Sequence, residues 1–300
     1  MRITHLLDLE PRPRRVAIGT FDGVHRGHRA VIAGCDTVLT FEPHPQAVIA
    51  PGSEPKLLTP LGRKAELIEG LGVLELVVIA FDRTLAERSA ELFIDEVIVE
   101  CLQATDVAVG ENFRFGARAA GDSTMLARDG RFAARIEPLL EIDGEIVSSS
   151  HIRGLIAGGA IEYAGELLGG SFTLDGPVVH GDKRGRTLGF PTANLIPDPR
   201  TVLPAHGVYA CTVTIDPGTP GAQTVPAAVN VGVRPQFQTG RGELIEAYLI
   251  DWSGDLYDRP VRVTFRRRLR GERRFVSTEA LIEQMHADVD ETRRLLAGDC

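Results

Sequence analysis

At Gly169-Gly170 the hydrophobic patterning of this 300-residue chain changes character, and the change limits what the chain can fold into. Before it, short apolar runs at 16–18, 37–41, 76–81, 107–109 and near 132–136 alternate with stretches of helical period at 61–71, from Ser89 to Cys101, and at 161–168. Strands that are apolar throughout, separated by amphipathic helices, predict a parallel sheet covered on both faces. After the two glycines, strand signals follow one another at 172–179, 192–195, 207–215, 227–232, 244–251 and 261–269, with a Pro- and Gly-rich loop at 216–224. That succession predicts a closed antiparallel barrel. A last helix is expected over about 278–296, with Leu281, Met285, Val289 and Leu296 on its buried stripe. The expected fold class is α/β followed by β, with one domain over 1–168 and a second over 169–300.

The first apolar run feeds directly into Gly19-Thr20-Phe21-Asp22-Gly23-Val24-His25-Arg26-Gly27-His28. Gly19 ends the strand, Asp22-Gly23 turns the chain, and a helix is expected to start beside His25 and His28, three residues apart and so on one face. Unpaired N–H groups at a helix start favour anions, and Gly27 leaves room for a close approach, so the stretch suits phosphate oxygens. A zinc site is the weaker proposal, because no Cys or Glu stands nearby at ligand spacing. In a parallel sheet, ligands sit beyond the carboxyl ends of the strands. That rule gathers His25 and His28 with Pro43 and His44 of the FEPHP segment and with Asn112 of the ENFRFG segment. Ser148-Ser149-Ser150 followed by Arg153 adds hydroxyls and a fixed cation at a further helix start.

In the second half, Gly181-Asp182-Lys183-Arg184-Gly185-Arg186 supplies glycines and cations, and Thr192 and Asn194 follow with a hydroxyl and an amide suited to magnesium. The segment lacks the Walker pattern and reads equally as a phosphate loop or a basic hairpin turn. Glu246 alternates with Ile245 and Ala247 in an apolar strand, where it reads either as a general base or as one half of an ion pair.

Composition narrows the field of partners. A formal net charge of −8 gives no basic field for nucleic acid. Only three lysines occur, so phosphate recognition is expected to fall mostly to arginine. The four cysteines are scattered without CxxC spacing, and no run of about twenty apolar residues is present, so a cytoplasmic protein without membrane contact is expected.

The stretch from Gly19 to His28 resembles the HxGH signature of nucleotidyltransferases in its GxFDGxHxGH form, and the Ser149-Ser150-His151-Ile152-Arg153 segment resembles SSTxIR, with Ser150 where Thr is usual. FEPHP, LLTPLGRKAELIEGLGV and VGENFRFGARAAGD extend the likeness. GDKRGRTLGFPTANL, AAVNVGVRPQF, IEAYLIDWSGDLY and VTFRRRLRGERRF resemble riboflavin kinase in order and spacing, with Gln236 where Thr is common. Together they are similar to the bifunctional riboflavin kinase and FMN adenylyltransferase family, the prokaryotic FAD synthetases. The resemblance implies phosphorylation of riboflavin in the barrel, then adenylylation of FMN in the first domain with release of pyrophosphate, both with ATP. It implies that His25, His28, Asn112, Ser149, Ser150 and Arg153 act on the ATP phosphates and that Gly19, Phe21, Asp22, Gly23, Pro43 and His44 line that site. For the barrel it implies Gly181, Lys183, Gly185 and Arg186 around ATP, Thr192 and Asn194 on Mg2+, Glu246 as base for the ribityl 5′-hydroxyl, and Arg270 beside the flavin. Two narrower readings stay open at this point: a kinase with a weak or inactive transferase domain, and a non-catalytic flavin-binding protein. A monomer or transient oligomer is expected.

Overall fold

The computed structural model describes residues 1–180, 189–233 and 243–297. The chain divides into two compact units, Met1–His151 and Ile152–Cys300.

The first unit is built on a six-stranded sheet. Its strands are β1 (Arg2–His5), β2 (Arg14–Ile18), β3 (Thr37–Glu42), β4 (Glu75–Ala80), β5 (Ala104–Gly110) and, past the short pair β6 (Arg114–Phe115) and β7 (Gly121–Asp122), β8 (Ala133–Glu137). They lie in the order β1-β4-β3-β2-β5-β8, and every pairing is parallel. A second short pair, β9 (Glu141–Ile142) and β10 (Glu145–Ile146), follows. The crossovers carry α1 (Arg26–Ile32), α2 (Pro45–Ile49), α3 (Leu61–Glu69), α4 (Arg83–Ala86), α5 (Ala90–Leu92) and α6 (Ser123–Arg128).

Successive strand residues point to opposite faces, and both faces are apolar. Val16 and Ile18 join Leu39, Val77 and Val107 in one cluster under Phe93, Ile94, Val97 and Ile98. Ala17 joins Val38, Leu76, Val78 and Ala108 in the other, under Val31, Ile32, Ala65 and Ile68. Two covered faces explain why these strands read as continuous apolar runs. The helix expected from Ser89 takes an unexpected form. Ser89 caps α5 by accepting from the Leu92 N–H at 3.2 Å, but the chain continues over Phe93–Cys101 as a π-helix.

The junction between units carries α7 (Ser149–Gly158) and α8 (Ile161–Leu168). Ser148 Oγ accepts from the His151 N–H at 3.2 Å and so caps α7. Helix α8 packs on the barrel strand Pro260–Arg270, and Glu162 pairs with Arg267.

In the second unit β11 (Thr173–Val179), β12 (Ala193–Leu195), β13 (Gly207–Ile215), β14 (Gln223–Val233), β15 (Glu243–Leu249) and β16 (Pro260–Arg270) close in the order β11-β12-β15-β14-β13-β16. All described barrel pairings are antiparallel. Alternate residues such as Tyr209, Cys211, Val229, Val231, Ile245, Ala247, Val263 and Phe265 fill the interior. Ser277 caps the last helix, α9 (Thr278–Leu296), whose Val289 packs with Phe190 and Ile250, joined by Ile282 and Met285.

Candidate active sites

The turn after β2 is held from below. Asp22 is 1% exposed, and its carboxylate accepts from the backbone N–H groups of Leu58 (2.9 and 3.0 Å) and Thr59 (3.0 Å), while the Gly23 N–H donates to Thr59 Oγ1 at 2.9 Å. This clamp fixes a backbone in which Phe21 (φ 48) and Val24 (φ 42) both adopt the left-handed region, a conformation that bulky and β-branched residues seldom enter. Gly19 leaves room for the Phe21 ring, to which a Cβ would come as near as 3.1 Å, a tight contact.

Above the clamp, His25 is the N-cap of α1, and its Nδ1 accepts from the His28 N–H at 3.3 Å. The two imidazoles stack with centroids 3.5 Å apart, and Phe21 meets His28 edge-on at 5.3 Å. His28 touches both other rings. Its Nδ1 is buried without a hydrogen-bond partner. Burial first, then His25, then Lys64 hold its imidazolium form down, so His28 titrates well below the usual histidine range. Gly27 keeps this stack close to the segment after β10: a Cβ on Gly27 would lie 3.3 Å from the His25 ring and 3.7 Å from the Val147 carbonyl oxygen.

Other expected residues of this unit lie in the segments that follow β3 and β5 and at the start of α7. Glu42 ends β3, a cis bond joins it to Pro43, and His44 caps α2 by accepting from the Gln46 N–H at 3.2 Å. Asn112 is exposed in the turn beyond β5, its Oδ1 next to Gly110. Ser149 Oγ donates to the Asp22 carbonyl at 2.9 Å, which ties the start of α7 to the turn after β2. Ser150 follows in the first turn of α7. Arg153 lies one turn further along α7, on the far side of the division between the units.

Lys64 is a member of this site that the motif leaves out. It projects from α3, is 5% exposed, and donates from Nζ to the Thr20 carbonyl at 2.7 Å and to Thr40 Oγ1 at 3.5 Å. Its sequence signal is a lysine beside Ala65 on an apolar helix stripe, in a chain with only three lysines.

In the barrel, strand register assembles the site. Asn194 on β12 lies opposite Glu246 on β15, and Glu246 lies opposite Asn230 on β14. The three therefore form a row across adjacent strands, on the face away from the packed interior, and Asn230 Nδ2 donates to Glu246 Oε2 at 3.4 Å. Asn230 is the second residue that sequence reasoning passed over, although it stands in AAVNVGV. Thr192 is half-buried just before β12. Arg270, at the end of β16, donates from Nε (3.1 Å) and Nη2 (2.7 Å) to Asp288 of α9, and from Nη1 to the Gly271 carbonyl. Its guanidinium thus ties strand to helix. Gly181, Lys183, Gly185 and Arg186, like Gln236, lie outside the described residues. Among the described residues no group of three or more His, Cys, Asp and Glu side chains is placed to hold a metal ion.

A doubly covered parallel sheet with a paired-histidine turn at its edge, followed by a closed six-stranded barrel with a polar row, is a two-unit architecture with a separate site in each unit. Residues 8–151 match the model of the FAD synthetase family, and residues 168–296 match that of the riboflavin kinase family. The chain is 38% identical to the bifunctional riboflavin kinase/FMN adenylyltransferase of Pseudomonas fluorescens, over 99% of this chain and 97% of that relative. It is 37% identical to the enzyme of the same description from Escherichia coli K12 (96% and 95% covered) and 35% identical to that of Bacillus subtilis 168 (98% and 96%). A solved structure described as a macrolide-efflux protein from Streptococcus pneumoniae superposes with a TM-score of 0.87 at 28% identity, covering 98% of this chain and 99% of that one. No helix among the described residues here is long and apolar enough to cross a membrane. The chain belongs to the bifunctional riboflavin kinase/FMN adenylyltransferase family.

Proposed function

We propose that this chain makes FAD from riboflavin in two ATP-dependent steps, with residues 169–300 phosphorylating riboflavin and residues 1–168 adenylylating the FMN so formed. The observation that carries this reading is that each unit assembles its own motif residues: His25 on His28 in the first, Asn194 beside Glu246 in the second.

In the barrel, Glu246 takes the proton of the ribityl 5′-hydroxyl as its oxygen bonds to the γ-phosphorus of ATP and the bond to the ADP oxygen breaks. Thr192 and Asn194 offer hard neutral oxygens. That donor set fits Mg2+, which keeps most of its ligands as water and phosphate, and one Mg2+ there would offset charge on the ATP phosphates. Asn230 orients the Glu246 carboxylate from the side opposite Asn194.

In the first unit, a phosphate oxygen of FMN bonds to the α-phosphorus of a second ATP, and the bond to pyrophosphate breaks. The attacking phosphate is already ionised, so the protein positions the reactants and offers donors to the phosphate oxygens. His28 supplies an Nε2–H from a neutral ring, with His25, Asn112, Ser149, Ser150 and Arg153 completing the donor set. Gly19, Phe21, Gly23, Pro43 and His44 shape the site, and Asp22 braces it through its backbone clamp. The reading extends to Gly181, Lys183, Gly185 and Arg186 as the ATP loop of the barrel and to Arg270 as a wall of the flavin site. It places the protein in the cytoplasm as a monomer or transient oligomer.

Purified protein given riboflavin, ATP and Mg2+ is expected to show FMN first and FAD after it, resolved by chromatography. His28→Ala should lower FAD formation from supplied FMN by about 100-fold or more while FMN formation continues, and Glu246→Ala should do the reverse. FMN that accumulates without FAD in the unaltered protein would leave only the kinase. Tight flavin binding without ATP turnover would leave a binding protein.

A further inference from the structure

We propose that Lys64 is a positioning residue for nucleotidyl transfer: its buried ammonium locks the Thr20–Val24 turn onto α3 and fixes the ring of His28 as a donor through Nε2. The inference deepens the reading of the first unit as the adenylyltransferase and rests on it.

A lysine this deep, 5% exposed, needs a reason to stay buried, because burial disfavours its charge. Burial does push its titration below the usual lysine range, and the carboxylates of Asp22 and Glu42 pull the other way. Its hydrogen bonds go to the catalytic turn. Nζ donates to the Thr20 carbonyl at 2.7 Å, and Thr40 Oγ1 donates to the same carbonyl at 3.1 Å. Thr20 immediately precedes Phe21, whose positive φ sets the path of the chain toward His25 and His28. A cation and a hydroxyl on one carbonyl therefore hold the root of a strained turn.

The same ammonium acts on His28 through space. Among the described residues, His25 stacks on that ring from its own turn, the charge of Lys64 on α3 opposes its protonation, and Asp22, in the turn after β2, and Glu42, at the end of β3, act in turn on Lys64. Protonation at Nδ1 would place an unsatisfied N–H in a buried spot, since that atom has no partner. Geometry thus selects the tautomer with hydrogen on Nε2, and two neighbouring sources of positive charge, Lys64 and any proton on His25, oppose the imidazolium. A ring that stays neutral offers the phosphates one directed hydrogen bond and stores no proton to release.

The test uses the full-length protein and its isosteric neutral variant, Lys64→Met. Histidine ring nitrogens observed by NMR should show His28 of the unaltered protein as the Nε2–H tautomer, without titrating between about pH 6 and about pH 8. In Lys64→Met, one opposing charge is gone, so His28 should take up a proton at higher pH than before. FAD formation from supplied FMN at saturating ATP should drop about tenfold to 100-fold in kcat, as small misplacements of a reacting group do, and the acid limb of its pH profile should move upward. Lys64→Arg, which keeps the charge, should leave the His28 tautomer in place even if its bulk disturbs the turn. An ordinary histidine titration in the unaltered protein, or a Lys64→Met variant with unchanged tautomer and pH profile, would overturn the proposal. Absence of FAD formation in the unaltered protein would instead sink the adenylyltransferase reading, while the ring titration still reports on Lys64 and His28.

Discussion

Glu75 receives two arginines where water is almost absent: Arg14 Nε at 2.8 Å and Arg12 Nη2 at 2.7 Å, both on Oε2, with the Arg14 and Glu75 side chains 0% and 3% exposed. Burial by itself would raise the Glu75 carboxyl, but Arg14 and then Arg12 outweigh it, and the group titrates below the usual glutamate value of 4.5. The stabilisation is therefore fully present above the pH at which an unfolded glutamate titrates and is lost as pH falls through the lower folded value. Glu75→Ala leaves Arg14 buried without its carboxylate and should cost about 3–5 kcal/mol in denaturant unfolding. The deficit should shrink as the pH is lowered; a pH-independent loss would show that packing, not charge, is at stake. At this scale the sequence is only partly readable. His25 and His28 declare themselves because their spacing is local. Lys64 reaches the site across 44 residues of chain, and Asn230 reaches Glu246 through strand register, so neither is visible until the fold is known.

Single elements were legible where burial makes them so. Strands β2 to β5 are apolar on both faces and stand out in the sequence, whereas β1 has three exposed residues of four and pairs only along one edge with β4, so nothing in its composition marks it. The segment after Ser89 carries the expected apolar positions, yet hydrophobic spacing cannot separate a π-helix from an α-helix over nine residues. Its start is pinned by Gly116, which has φ 71 and on which a Cβ would fall 2.6 Å from the Ala90 backbone nitrogen. Gly116→Ala should therefore cost about 1–3 kcal/mol in backbone strain alone. Faster amide exchange over residues 90–101 would be its signature, and unchanged protection there would show that the hairpin simply moves aside.

For the molecule as a whole, the switch of pattern at Gly169-Gly170 announces two architectures, but not that α8 packs against the barrel, since an amphipathic helix shows its apolar face without naming what covers it. Two sites in two units lead to a further expectation. His28→Ala and Glu246→Ala proteins, each unable to convert riboflavin to FAD alone, should do so when mixed, because FMN released by the first becomes substrate for the second. A mixture that accumulates FMN but never FAD would show that the second step accepts only FMN formed on the same chain. The closure of the barrel has another consequence. Strand β11 must pair with β16, so residues 173–179 wait for residues 260–270, whereas all six strands of the parallel sheet are present by Glu137. As the chain leaves the ribosome, the nucleotide-binding sheet can settle while more than half the message is still unread; the barrel has to leave one edge of its first strand, the edge away from β12, unpaired almost until translation ends.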